Sequence, residues 1–307
     1  MSPPPGDETD VHHRGTKDTG KQREGLRALS GLRGEIEAMS TELEQKRVVD
    51  EHFRDFSTSW GQRYDVRPRK MSDLDMQLRR KNVQRLLRPL LPDPPGRLRG
   101  LDLGCGAGKV LEGIPRERLS IVGVDLVPEM VAVAAGNHPE DRFAAADATR
   151  LPFRPGSFDL VTSVGVLEYI PDPLDVLRGV HALIRPGGHL IMSLPNRGSL
   201  FRRLSWVESA CERALGAVLR RLRGQPVETD RPRYQHAQWS AGEGARLFAA
   251  AGFVVDEVRF NTYGVWGVVG RLAPSLWFSA FMSRHFSGQS PVSTLLAHTM
   301  VFRVRRP

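Results

Sequence analysis

Between residues 98 and 195 short apolar runs alternate with amphipathic stretches, a pattern that predicts strand–helix–strand units of a parallel sheet covered by helices on both faces. The runs carry Leu101 and Leu103, then Ile121 to Val124, Ala144 to Ala146, Phe158 to Val161, and Leu190 with Ile191. Pro128 suits the first turn of a helix after the second run, where its missing N–H costs nothing. Residues 171–184 form a second amphipathic helix, stopped by Pro186 and Gly187. Ser240-Ala241-Gly242-Glu243 is a capping box, and its helix runs through Leu247 and Phe248 to Gly252. A sixth strand over 253–260 and a seventh over 299–304 follow, joined by an apolar helical segment around 272–286.

Two helices flank this alternation. Between residues 23 and 46, Leu29, Leu32, Ile36, Met39 and Leu43 recur at spacings of three and four and make one apolar stripe. Such a stripe packs on its own domain, with a homodimer contact as the alternative use. After Pro195 about forty residues intervene before the capping box. Within them Phe201, Leu204, Val207, Cys211, Ala214, Leu215, Val218 and Leu222 share a helical face, with Arg202, Arg203, Arg213, Arg220, Arg221 and Arg223 elsewhere. The expectation is a lid with its apolar side on a substrate cleft; the rival reading of a basic amphipathic helix is contact with an anionic membrane surface. The layout is therefore a disordered tail over 1–22, a helical extension and cleft cover over 23–97, and a core over 98–195. A helical lid insertion over 196–239 and the remainder of the core over 240–307 complete it.

The chemistry centres on Leu101-Asp102-Leu103-Gly104-Cys105-Gly106-Ala107-Gly108-Lys109. An apolar run ending in three alternating glycines predicts a buried strand bending sharply into a helix, with positive φ at glycine and room for a ligand against the backbone. Free N–H groups at that helix start would favour a polar or anionic ligand group. Some twenty residues on, Asp125 ends the next strand, where a carboxylate reaches both hydroxyls of a ribose. A nucleoside-containing cofactor across the first two strands follows. A dinucleotide fingerprint would need a third glycine at position 109, and Lys109 stands there.

The G-x-G-x-G bend preceded by Asp102 resembles motif I of the class I S-adenosylmethionine methyltransferases. Three later stretches resemble the same family in order: Ala144 to Ala148 with Leu151-Pro152-Phe153, Phe158 to Tyr169, and Leu183 to Ile191. The resemblance implies an α/β fold, a doubly wound seven-stranded, mostly parallel, Rossmann-like sheet with an antiparallel last strand. It implies S-adenosylmethionine as cofactor and S-adenosylhomocysteine as product. The implied cofactor-binding residues are Asp102, Leu103, Gly104, Gly106, Asp125, Leu126, Asp147, Ala148 and Ser163, with Asp147 and the N–H after it meeting the adenine. From about residue 50 to 305 the chain is similar to methyltransferases of the ubiquinone- and menaquinone-biosynthesis type. That implies a small aromatic or lipophilic acceptor, methylated at oxygen.

Phe53 to Tyr64 resembles the segment that covers the cleft in such enzymes, and Phe56, Trp60 and Tyr64, four apart, share one helical face. Packing of that face on the core is the equal alternative. Trp60, Tyr64, Tyr169 and Tyr234 are the expected acceptor-cleft residues. Tyr234 to Trp239 resembles a His-x-x-Trp-like segment near the substrate, which makes His236 the candidate general base. His181 and His189, on a core helix and strand, are assigned structural roles. Among Arg79, Arg80 and Arg85, one is expected to meet the methionine carboxylate of the cofactor.

Composition narrows the rest. Two cysteines and no metal-ligand spacing support neither a disulfide framework nor a metal, which disfavours a magnesium-dependent catechol mechanism. Ser163 to Val166 replaces the Asp/Asn-Pro-Pro-aromatic tetrapeptide, which argues against methylation of nucleic-acid bases. The net charge of +9 fits arginines on solvated faces, or affinity for nucleic acid or an anionic membrane. Methylation of RNA or protein, and a non-catalytic cofactor-binding partner subunit tethered by the 23–46 helix, are the rival functions. With no apolar leader and no run of 18 apolar residues, the expected location is the cytoplasm, or its inner membrane face by peripheral contact.

Overall fold

The computed structural model describes residues 42–223, 236–264 and 273–307. The chain divides at Lys46, and the unit from Arg47 to Pro307 holds the sheet and the candidate site. The predicted tail, most of the 23–46 stripe and Tyr234 lie outside the described residues.

The strands are β1 (Leu98–Leu103), β2 (Leu119–Asp125), β3 (Arg142–Ala145), β4 (Phe158–Ser163), β5 (Ile184–Pro195), β6 (Val254–Asn261) and β7 (Thr299–Arg305). They form one sheet in the order β3-β2-β1-β4-β5-β7-β6. Neighbours from β3 to β5 run parallel, and β7 is antiparallel to both β5 and β6. The expected doubly wound sheet with an antiparallel last strand is present. Because β1 lies between β2 and β4, the chain leaves it in opposite directions, and the crevice for a ligand opens at the carboxyl end of β1.

Period-two alternation sends successive side chains to opposite faces. Val161, Leu190, Met300 and Phe302 join one buried cluster with Phe248 and Leu177, while Leu160, Ile191 and Val301 join another with Val83, Leu86 and Leu111. The helices are α1 (42–54), α2 (Ser57–Trp60), α3 (Met71–Leu87), α4 (Pro128–Asn137), α5 (Pro173–Leu183), α6 (Leu200–Leu222), α7 (Ala241–Ala250), α8 (Ala273–His285) and α9 (Pro291–Leu296). Pro128 occupies the first turn of α4, and the Ser240–Glu243 capping box starts α7 as predicted.

Four features depart from expectation. No helix follows the glycine bend: residues 104–118 are turns, because Gly113 at φ +77° and Pro115 leave a stretch too short to nucleate one. The 53–64 segment is not one helix but α1, a break at residues 55 and 56, α2 and a 3₁₀ turn over Gly61–Tyr64. That break destroys the four-residue register, so Phe56 is 46% exposed while Tyr64 sits in the second core cluster rather than the cleft. On α6 the apolar positions are exposed instead of turned onto a cleft: Val207, Leu215 and Leu222 are each more than half exposed, and Ser205 is the buried residue of the helix. Finally, α9 was not predicted; Ser290 caps it and Pro291 begins it.

Candidate active site

The bend after β1 is built by conformation. Gly104 and Gly106 have φ of +72° and +50°. A Cβ on Gly104 would lie 2.1 Å from Val166 Cγ2, so space as well as φ demands glycine there. Gly104 and Cys105 donate their N–H groups to Val124 O at 2.8 and 3.0 Å, which folds the bend against the end of β2. Gly106 N–H then donates to Asp125 Oδ2 at 2.8 Å, and Val127 N–H to Oδ1 at 3.0 Å. The Asp125 carboxylate is thus fixed at the rim of the crevice. Burial raises its pKa, and N–H donation from Val127, Gly106 and Leu126 opposes the rise.

Asp102 lies one layer deeper, 2% exposed, and accepts from Thr162 Oγ1 at 2.7 Å. Burial pushes its pKa up to about 6, opposed by the Thr162 bond and assisted by the Asp125 charge. At the end of β4 the Ser163 Oγ is buried with no hydrogen-bond partner. Past β3, Ala146 N–H donates to Asp125 O at 2.9 Å, and Thr149 N–H caps Asp147 Oδ1 at 2.8 Å. Asp147 and Ala148 therefore stand beside Asp125 and Leu126 along one rim. An adenosine-bearing cofactor fits this set. Asp125 offers a ribose partner, Gly106 leaves the bend open with Trp60 Cδ1 3.7 Å from where its Cβ would be, and Ser163 offers an unclaimed hydroxyl. The arrangement brings all nine cofactor residues predicted from sequence to the carboxyl edge of β1–β4.

An aromatic wall leads away from the bend. Trp60 meets Phe53 edge-on at 5.2 Å, Phe53 meets Tyr169 at 5.6 Å, and Tyr169 meets His236 at 5.2 Å. Phe53 is the link that four-residue spacing overlooked; its seven-residue separation from Trp60 was the available signal. His236 is held through its neighbours: Ala237 N–H donates to Glu168 O at 2.8 Å, and Trp239 N–H to Pro195 O at 3.1 Å. Burial, then Arg202 and Arg79, lowers the His236 pKa to about 4, so the imidazole is neutral at pH 7. His181 packs edge-on against Phe253, and His189 pairs with Asp256 at 3.4 Å, which keeps both in structural roles.

Beneath this wall lies a buried ionic cluster that sequence reasoning did not assemble. Arg79 pairs with Asp75 and lies 3.8 Å from Glu168. Asp75 also accepts from Thr262 Oγ1 at 2.6 Å, Thr299 Oγ1 at 3.0 Å and Asn261 Nδ2 at 3.1 Å. Thr262 is held at φ +65°, a strained position for a β-branched residue that the network maintains. Glu168 lies 3.9 Å from His236 Nε2, its Oε2 has no partner, and burial raises its pKa. Arg202 donates from Nη2 to His298 O at 2.9 Å while its buried Nε has no acceptor, and burial lowers its pKa to about 10.

Strand order, glycine bend and the acid at the tip of β2 define a class I S-adenosylmethionine-dependent methyltransferase. The chain belongs to the family described as Methyltransferase domain, which matches residues 74–258. It is 38% identical over 104 residues to the ubiquinone biosynthesis O-methyltransferase of Xanthomonas campestris pv. campestris (strain B100), covering 32% of this chain and 44% of that protein. To the enzyme of the same description from Pseudomonas aeruginosa (strain LESB58) it is 36% identical over 103 residues, with the same shares. The chain thus spans less than half the length of the curated relatives it matches. Among solved structures it is similar to magnesium protoporphyrin IX methyltransferase from Synechocystis PCC 6803 with bound SAH. There the TM-score is 0.55 at 15% identity, covering 85% of this chain and 100% of that one. It is also similar to a chain in the complex of the Haloferax volcanii Trm112 methyltransferase activator with a putative methyltransferase. That match has a TM-score of 0.54 at 18% identity, covering 83% and 97%. These likenesses carry the fold.

Proposed function

We propose that the protein methylates an oxygen of a small aromatic or lipophilic acceptor. The observation that carries this reading is the wall of Trp60, Phe53 and Tyr169, which runs from the glycine bend to a solvent-accessible, neutral His236. When bound, the cofactor supplies a methyl group already activated on a sulfonium, so the protein has mainly to align, enclose and deprotonate. Asp125 holds the ribose, Asp147 with the N–H of Ala148 holds the adenine, and Ser163 and Asp102 face the remainder. Trp60, Phe53 and Tyr169 orient a flat acceptor and exclude water. His236 receives the proton of the acceptor hydroxyl, and desolvation, then Arg202 and Arg79, makes it a weak base. Incubation with labelled S-adenosylmethionine and cell extract tests the reading. A labelled small phenol ether supports it, whereas label in RNA or protein overturns it in favour of the rival acceptors.

The exposed apolar face of α6, with Leu215 and Leu222 62% and 78% exposed and Arg203, Arg213 and Arg221 on the rest of the helix, supports a second element of function. We infer that α6 rests on an anionic membrane surface, where a lipophilic acceptor would reside. No helix among the described residues is long and apolar enough to cross a membrane. The protein is expected to cosediment with anionic but not neutral vesicles, and Leu215→Glu to abolish this. Equal behaviour with both vesicle types would contradict it.

A further inference from the structure

Two departures from the expected fold meet at one place. The chain after the glycine bend forms turns instead of a helix, and the 53–64 segment breaks into α1, α2 and a 3₁₀ turn. Lys109 and Glu112 lie in those turns, and Asp65 directly follows the 3₁₀ turn. Lys109 Nζ is 2.9 Å from Asp65 Oδ2 and 2.7 Å from Glu112 Oε1. Arg80 Nη1, on α3, is 3.3 Å from Asp65 Oδ1 and 3.2 Å from Glu112 Oε2. Each cation touches both acids, so the charges alternate around a closed ring. An isolated surface pair contributes little, whereas a network of this kind holds its members in place.

The ring ties the 57–66 cover to the bend across α3. Gln77 Nε2 donates to Arg63 O and Val66 O at 3.0 and 2.8 Å on the cover side, and Gln84 Nε2 to Val110 O and Glu112 O at 3.0 and 2.9 Å on the other. Beneath the cover is the nucleoside seat. A Cβ on Gly61 would lie 3.0 Å from Ala107 Cβ, and Trp60 rests against Gly106, whose N–H donates to Asp125. The far end is held more lightly, by Arg54 on Glu129 at 3.2 Å, both close to half exposed. We propose that the Lys109–Asp65–Arg80–Glu112 ring is a latch that clasps this cover on the glycine bend and sets the rate at which the cofactor exchanges. Lys109 is then a positioning residue that acts through the cover. It stands where a dinucleotide fingerprint would place a glycine, which could make no such tie. The absence of a helix after the bend lets its side chain reach Asp65.

Stopped-flow release of S-adenosylhomocysteine from the full chain, followed by tryptophan fluorescence, tests the latch. Lys109→Met should speed release by about fivefold, the scale of a networked ion pair. Asp65→Asn, at a half-exposed position that folding tolerates, should do the same from the other side of the ring. The double variant should release little faster than either single one, because both break the same ring. Raising ionic strength from about 0.01 to 1 M, which shortens the Debye length from about 30 to 3 Å, should speed release from the wild type and leave Lys109→Met nearly unchanged. Release of 5′-methylthioadenosine, which lacks the carboxylate, should accelerate by the same factor in each variant. Unchanged release in both single variants, or effects that add in the double variant, overturns the latch. So does a Lys109→Met variant that loses hold of S-adenosylhomocysteine but not of 5′-methylthioadenosine, because Lys109 would then serve the cofactor carboxylate directly.

Discussion

Gly104 joins two demands in one residue, a left-handed φ and the 2.1 Å approach that a Cβ would make to Val166. Gly104→Ala should therefore destabilise by about 2–4 kcal/mol, from strain and overpacking together. Adding Val166→Ala should recover the packing part and leave the φ part, which thermal melting of the two variants resolves. Full recovery would show that φ contributes nothing. Asp102 illustrates the opposite bargain, a buried carboxylate that folding would do better without. Its folded-state pKa of about 6 lies above its ordinary 3.8, so its contribution to stability is present below that lower value and lost as pH rises through about 6. A shift of about two units corresponds to about 3 kcal/mol lost at neutral pH. Asp102→Asn keeps an acceptor for Thr162 and should melt several degrees higher at pH 7.5, show no gain at pH 4, and bind cofactor more weakly. A lower melting point at pH 7.5 would contradict the burial argument. Local pattern exposed Gly104 and Asp102 in the sequence because each lies at the end of an apolar run.

At the scale of elements, the strands were legible because each is an apolar run bounded by turn residues, and α5 and α7 because their caps are local. Connections were less so. The absence of a helix after the bend follows from Gly113 and Pro115, both visible in the sequence, but the spacing from Gly104 to Asp125 is that of a strand–helix–strand unit and outweighed them. The α1–α2 break has no such local mark; it is set by docking of the 3₁₀ turn on the bend. Gly61 is the contact point, and a Cβ there would be 3.0 Å from Ala107 Cβ. Gly61→Val should lift this cover from the glycine bend and weaken S-adenosylhomocysteine binding by about tenfold with little change in melting temperature, since Gly61 has ordinary helical dihedrals. Unchanged affinity would detach the cover from cofactor binding.

At the scale of the molecule, the sheet order does what no local pattern announces. It brings Asp75 and Arg79 of α3 and Glu168 beyond β4 into one buried cluster, with the more accessible Arg202 of α6 and His236 at its edge. Partners this far apart in sequence carry no periodic signal, so His236 could be singled out by resemblance while the arginines that govern it could not. On the proposed function, the same assembly would separate two tasks, with the nucleoside seat at the ends of β1–β4 and the acceptor toward His236. Every functional statement rests on the first seat, where the glycine bend and Asp125 meet. Calorimetric titration of the full chain with S-adenosylhomocysteine addresses it directly. One molecule should bind per chain, and Asp125→Ala should lose that binding while melting near the wild-type temperature. Undiminished affinity in a folded Asp125→Ala variant would contradict the account.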